Sequence, residues 1–202
     1  MKILIFLLFL LTISCSNNKV VIAYRDIGSA GRGKAVVGTV SGTSISFGSE
    51  VVFEASEISV FTSTTFDSSN NKLVVAYRDA DNSGFGTAAV GTISGADISF
   101  GTPVVFESAN MTSTAITFDS SNNKVVIAYK DQGNSDHGTS IVGTVSGTSV
   151  SFGTAVVFEA AHTTHIETIF DSSKEESPNL INPGDIVLFK EISKKQYENY
   201  NE

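Results

Sequence analysis

The side chains best placed to do chemistry in this chain are bases followed directly by acids. Arg25-Asp26, Arg78-Asp79 and Lys130-Asp131 each close an apolar run that ends in Ala-Tyr. A guanidinium or ammonium beside a carboxylate can grip a sugar hydroxyl or a carboxylate through charge-assisted hydrogen bonds. The same pair can equally be an ion pair or turn bond that recurs because its surroundings recur. These six residues form the candidate ligand-binding set. The segments that follow hold Asp79, Asp81 and Asn82, and then Asp131, Asn134 and Asp136, oxygen donors of the kind Ca²⁺ takes. The corresponding stretch Asp26-Ile27-Gly28-Ser29-Ala30-Gly31-Arg32 loses most of them, and turn formation accounts for Asp, Asn and Gly equally well. No metal is expected.

Catalytic groups are harder to find. His162 and His165 are three apart on an expected strand and would face opposite sides, which suits no shared metal. His137 falls in an expected loop, and no histidine has a Ser or Cys nucleophile beside it. The glycine-rich stretches open no helix, so they do not form a phosphate loop. Neither a catalytic residue nor a cofactor is expected. Tyr24, Tyr77 and Tyr129 read as core or rim packing rather than a sugar-stacking platform, and Trp is absent.

What positions these groups is a repeat. Tyr24, Tyr77 and Tyr129 stand 53 and then 52 residues apart, and Phe47, Phe100 and Phe152 of the Ser-Phe-Gly motifs keep the same spacing. Residues 66–117 and 118–169 are identical at 30 of 52 positions, which implies duplication of one structural unit. Each unit reads as four strands separated by turn chemistry. In the third copy these are residues 112–118, 124–130, 139–145 and 149–158, the last interrupted near Gly153. In the second piece Val125, Ile127 and Tyr129 alternate with Val126 and Ala128, so both faces are apolar and both should be covered. The chain enters the pattern at its second strand and ends it with an isolated first strand at residues 164–171, which could complete the starting unit.

A sheet covered on both faces, with a period near 52, fits β-propeller blades, which take ~40–50 residues each. The segments Val-Val-Ile-Ala-Tyr-Lys-Asp, Val-Gly-Thr-Val-Ser-Gly-Thr-Ser and Phe-Gly-Thr-Ala-Val-Val-Phe of residues 17–173 resemble the highly repetitive β-propeller arrays of some bacterial secreted proteins. The resemblance implies an all-β fold of three four-stranded blades, and it attaches no ligand. Three blades are fewer than the usual 4–8 of a ring. They imply an incomplete ring, or one half of a ring closed by a homodimer.

The ends differ from the body. Met1-Lys2 precedes an unbroken apolar run, residues 3–11, too short for the ~20 residues that span a bilayer and right for an export signal over residues 1–15. Leu11-Thr12-Ile13-Ser14-Cys15 resembles a bacterial lipobox, which implies lipidation of Cys15 and an anchor on a membrane surface. The expected location is extracellular, periplasmic or lipid-anchored, with membrane contact only through the leader or anchor. Residues 16–173 form the repeat region, and the pattern stops at a charged tail, residues 174–202. Within it Leu180-Ile181-Asn182-Pro183-Gly184-Asp185-Ile186-Val187-Leu188-Phe189 resembles the C-terminal end of carboxyltransferase-domain proteins of the 5-oxoprolinase (Kip inhibitor) type. The body that carries that family's activity has no counterpart here, so no catalytic residue is carried over.

A net charge of −8 with no basic cluster is poorly suited to phosphate backbones, so nucleic acid is not an expected partner. A single cysteine excludes an internal disulfide framework. The sequence thus points to a non-catalytic, exported repeat module for binding, with a glycan or surface polymer as its partner. The alternatives are a carboxyltransferase-related role through the tail, or a truncated or fused fragment without function.

Overall fold

Alternation of apolar residues with a period of two dominates the chain, and strands follow from it. The computed structural model describes residues 19–172; the leader with Cys15 and the tail of residues 174–202 lie outside the described residues. In chain order the strands are β1 (Lys19–Asp26), β2 (Arg32–Ser41), β3 (Ser44–Phe47) and β4 (Val51–Asp67). Then come β5 (Lys72–Asp79), β6 (Phe85–Ser94), β7 (Asp97–Phe100) and β8 (Val104–Asp119). The last are β9 (Lys124–Asp131), β10 (His137–Ser146), β11 (Ser149–Phe152) and β12 (Val156–His162). Among the described residues the only helical pieces are two 3₁₀ turns, Ile27–Ser29 and Gln132–Asn134. The protein is all-β, built as one open antiparallel sheet path that runs β1-β2-β4-β5-β6-β8-β9-β10-β11.

The four expected strand pieces map onto this path with one change. The first piece of each copy is not a separate strand but the second half of a long one. β4 pairs with β2 through Val51–Glu57 and then, from Ile58, with β5. β8 repeats the switch, pairing with β6 up to Asn110 and with β9 from Met111. A register shift at each changeover bends the strand out of one pairing and into the next. The fourth piece is interrupted near Gly153 as expected: β11 and β12 both pair with β10, end to end. The Gly153 N–H keeps the break attached by donating to Val142 O at 2.9 Å.

Local chemistry sets the turns. The short hairpins after β2, β6 and β10 put Gly42, Gly95 and Gly147 at φ of 60°, 63° and 61°, which glycine alone adopts without steric cost. The turns before β5 and β9 are folded by an aspartate. Asp67 Oδ1 accepts from Ser69 N (3.0 Å) and Asn70 N (2.9 Å), and Asp119 Oδ1 accepts from Ser121 N (2.9 Å) and Asn122 N (3.0 Å). The side-chain hydrogen bond from Asn122 leads the effects that hold the Asp119 carboxyl below its ordinary range.

Strand alternation deals successive residues into two cores. Leu73, Val75 and Tyr77 of β5 join Ala35, Val37, Phe53 and Ile58 in one. Val74 and Ala76 of the same strand join Phe106, Met111, Val125, Ile127 and Tyr129 in the other. The covering on both faces expected of the second strand is present in β5, whereas in β9 it falls on one face. Val125, Ile127 and Tyr129 are fully buried, but Val126 on the other face is only half-buried and its partner Val142 is exposed, because no further copy packs there among the described residues.

One expected strand did not form. Residues 164–171 run on without entering any ladder. The reason is the absence of a neighbour: in the other copies this position lies against the Lys-Val/Leu-Val strand that follows it, as β4 lies against β5 and β8 against β9.

Candidate functional site

The changeover that splits each long strand also creates a place where equivalent residues of all three copies meet. At the bulge in β8, Ser113 takes a left-handed conformation (φ 53°), and His165 repeats it (φ 54°). Such bulges re-aim side chains out of the ladder. Here they open onto a cleft of about 220 Å³ lined by Phe61, Thr62, Ser113, Thr114, His165, Ile166 and Glu167. Phe61, Ser113 and His165 hold one repeat position, and Thr62, Thr114 and Ile166 hold the next.

The lining mixes an aromatic ring with hydroxyls and one carboxylate. Thr62 Oγ1 is buried and has no hydrogen-bond partner, so its donor is unspent. The Thr114 hydroxyl, by contrast, lies 3.1 Å from Met111 Sδ, a weak acceptor. Among the described residues no three His, Cys, Asp or Glu side chains converge as a metal site.

The six residues singled out from the sequence sit at the same end of β1, β5 and β9, where each finds partners inside the chain. Arg25 donates through Nη2 to Glu57 Oε1, Arg78 Nε donates to Asn110 Oδ1 at 2.9 Å, and Lys130 Nζ lies 3.4 Å from Asp136 Oδ1. The acids fold the following loops or pair locally. Asp79 Oδ1 accepts from Asn82 N (3.2 Å), and Asp131 Oδ1 accepts from Asn134 N (3.1 Å). Asp26 instead meets Lys34 Nζ at 2.5 Å, and that bond is the main reason its carboxyl lies below its ordinary value. Burial pushes Asp79 and Asp131 the other way, up from the ordinary value, with Glu54 and Glu107 adding to it. The remaining loop oxygens are also engaged: Asp81 Oδ2 accepts from Glu57 N (2.8 Å), and Asp136 also faces His162 Nε2 at 3.4 Å.

Tyr77 and Tyr129 are packing residues at the joins between copies. Tyr77 OH donates to Glu54 Oε2 and Tyr129 OH to Glu107 Oε2, both at 2.8 Å. Burial first, and the facing carboxylate second, raises both phenols far above their ordinary range, which keeps them protonated as donors. Burial alone would raise the Glu54 carboxyl. Donation from the Ser56 N–H, the Ser56 hydroxyl and Tyr77 outweighs it, and the group sits below its ordinary value.

The cleft residues were not singled out as a site from the sequence, although one signal was there. Across copies that share most positions, Phe61, Ser113 and His165 differ completely. Glu50, Pro103 and Ala155 differ as completely, as do Glu57, Asn110 and His162, so this variation points to the cleft only once the fold brings Phe61, Ser113 and His165 together. The chain matches no protein-family model, no curated protein and no solved structure.

Proposed function

We propose that this chain is an exported, non-catalytic binding module whose three copies act as propeller-type blades and whose ligand is a glycan or similar polyhydroxylated polymer. The observation that carries the reading is the cleft, where a repeat position that differs in all three copies converges. A sugar offers an apolar C–H face and a rim of hydroxyls. Phe61 can cover the former, while Thr62, Ser113, His165 and Glu167 supply donors and acceptors for the latter. A volume of about 220 Å³ suits a single sugar ring rather than a larger organic ligand, whose sites run to ~300–1,000 Å³.

The unspent Thr62 hydroxyl supports a polar occupant, because a buried donor gains most from a ligand that completes it. The loop pairs at Arg25, Arg78 and Lys130 are the less favoured location, since each charged group already meets an acid or an amide oxygen within the chain. Weak sugar contact at one cleft gains strength when several molecules of the protein engage one polymer. The short apolar leader supports action outside the cytoplasm.

A glycan array followed by calorimetry on any hit tests this. Phe61→Ala and Thr62→Ala are each expected to weaken binding by about tenfold, the effect of losing ~1.4 kcal/mol of contact. Arg78→Ala should leave it unchanged. An array that stays silent at high protein concentration, or a hit indifferent to Phe61, removes the proposal.

A further inference from the structure

Each contact between neighbouring copies occurs twice inside the chain, and half of it occurs a third time with the other half missing. Phe53 packs on Tyr77 and Phe100 of the next copy, with ring centroids 5.3 and 5.5 Å apart. Phe106 repeats this on Tyr129 and Phe152 at 5.4 and 5.6 Å. Both phenylalanines are buried, at 5 % and 8 % exposure. The third member, Phe158, rests one face on Gly138 as Phe106 does on Gly86, yet stays 54 % exposed, with no tyrosine packed on it among the described residues.

At the other end stand the unmatched acceptors. Tyr24 and Phe47 hold the positions of Tyr77 and Phe100, and Phe47 is 52 % exposed. The Tyr24 hydroxyl turns to Glu50, an acid that the other copies replace with Pro103 and Ala155. The acid that would match Glu54 and Glu107 is Glu159, on exposed β12.

The backbone tells the same story. β1 pairs with β2 on one edge and with no described strand on the other, leaving Val20 and Ile22 39 % and 44 % exposed. Residues 164–170 are the unladdered counterpart of the strand halves that cover β5 and β9. Their backbone is already set for that role. Thr163 N donates to Asp136 O (3.0 Å), as Met111 N does to Gly84 O (3.1 Å) and Ile58 N to Gly31 O (2.9 Å). His165 also carries the same left-handed φ as Ser113.

We propose that copies of this chain join head to tail: residues 164–170 of one copy add as a strand to the free edge of β1 in a second, and Phe158 of the first closes on Tyr24 and Phe47 of the second. The register follows from the repeats. Phe66 faces Leu73 and Phe118 faces Val125, so Phe170 faces Val20 of the neighbouring copy and Thr168 faces Ile22. The contact is heterologous, so it closes into a ring or extends according to the rotation it imposes. A second copy is the fitting occupant because it supplies the strand, the phenylalanine and the glutamate together in the spacing that β1, Tyr24 and Phe47 accept, while the chain's own residues 164–170 enter no ladder with β1.

The test is a disulfide trap in a Cys15→Ser background. Ile22→Cys and Thr168→Cys are placed in separate copies, co-expressed and oxidised; directly opposed residues of an antiparallel pair have Cα atoms ~4.5–5.5 Å apart, within the range a disulfide spans. The expected result is a covalent dimer at least about tenfold more abundant than with either variant alone, and far less when Ile169→Cys, on the other face of the strand, replaces Thr168→Cys. Light scattering should show association that Phe158→Asp weakens by about tenfold or more, with the melting of dilute protein unchanged because that ring is exposed in the single copy.

Three results would overturn the proposal. The doubly substituted chain could cross-link within itself at high dilution, so that each copy closes alone. The single variants could cross-link as readily as the mixture, or Phe158→Asp could leave association intact.

Discussion

β1 and β9 differ at one residue in eight, Arg25 against Lys130, yet they live in different environments. In β9, Val125, Ile127 and Tyr129 are fully buried; in β1 the matching Val20 and Ile22 are 39 % and 44 % exposed. Nothing in the strand itself makes this difference. β9 has the second half of β8 on one edge and β10 on the other, whereas β1 has β2 alone among the described strands. Burial of an aliphatic side chain is worth ~1.5–3 kcal/mol, so the same eight-residue motif contributes several times more stability inside the array than at its head. In a repeat of this kind, a residue's energetic weight belongs to its neighbours as much as to its type.

The sharpest way to break this comparison is to truncate its tyrosines. Tyr129→Ala removes a buried ring packed on Phe106 and strands the Glu107 carboxylate, and it should cost about 3–5 kcal/mol in denaturant unfolding. Tyr24→Ala, at the open end, should cost less than about 1 kcal/mol in dilute protein. Equal losses would mean that copy position does not control burial.

A smaller effect of the same kind tests the other end. A Cβ at Gly86 would meet the Phe106 ring at 2.5 Å, and that ring is wedged against Tyr129. Gly86→Ala should therefore cost about 1–3 kcal/mol through overpacking. A Cβ at Gly138 meets Phe158 at 2.6 Å, but that ring can swing into solvent, so Gly138→Ala should cost under about 1 kcal/mol. Similar values at both sites would show that Phe158 is held as tightly as its inner counterpart.

Much of this architecture is legible in the chain because turn chemistry and alternation act locally. The period, the hairpin glycines, the break near Gly153 and the apolar character of both faces of β5 all follow from residues within a few positions of one another. What is not legible locally is pairing. Whether residues 112–118 form a separate strand or continue residues 104–110 depends on which two strands flank them, and the observed answer is one strand serving both. Residues 164–170 carry the sequence of a strand and lack only the neighbouring strand that would make them one. The cleft was missed for a related reason. Phe61, Ser113 and His165 are ordinary strand residues in sequence, and only the bulges and the nesting of three copies bring them together. The basic-acidic pairs stood out for their chemistry, and the structure finds them bonded to their own loops and neighbouring strands.

The smallest effect, and the one with a sign that discriminates, is the pH response of the aspartates after the tyrosines. Burial raises the Asp79 carboxyl above its ordinary value, so the folded protein binds that proton more tightly than the unfolded chain does. Stability from this group is greatest when it is protonated and falls as pH rises from the unfolded value, ~3.9, through the folded one. Asp26 runs the other way. Lys34 holds its carboxyl down, so its contribution is present above ~3.9 and is lost as pH falls through the lower folded value. Asp79→Asn should thus gain on the parent protein as pH rises from about 3 to 7, while Asp26→Asn should lose ground over the same range. Urea unfolding of the two variants and the parent across that interval reads both trends at once. Parallel drifts would show that the end copy and the inner copy hold their aspartates alike, and the contrast drawn from β1 and β9 would not extend to charge.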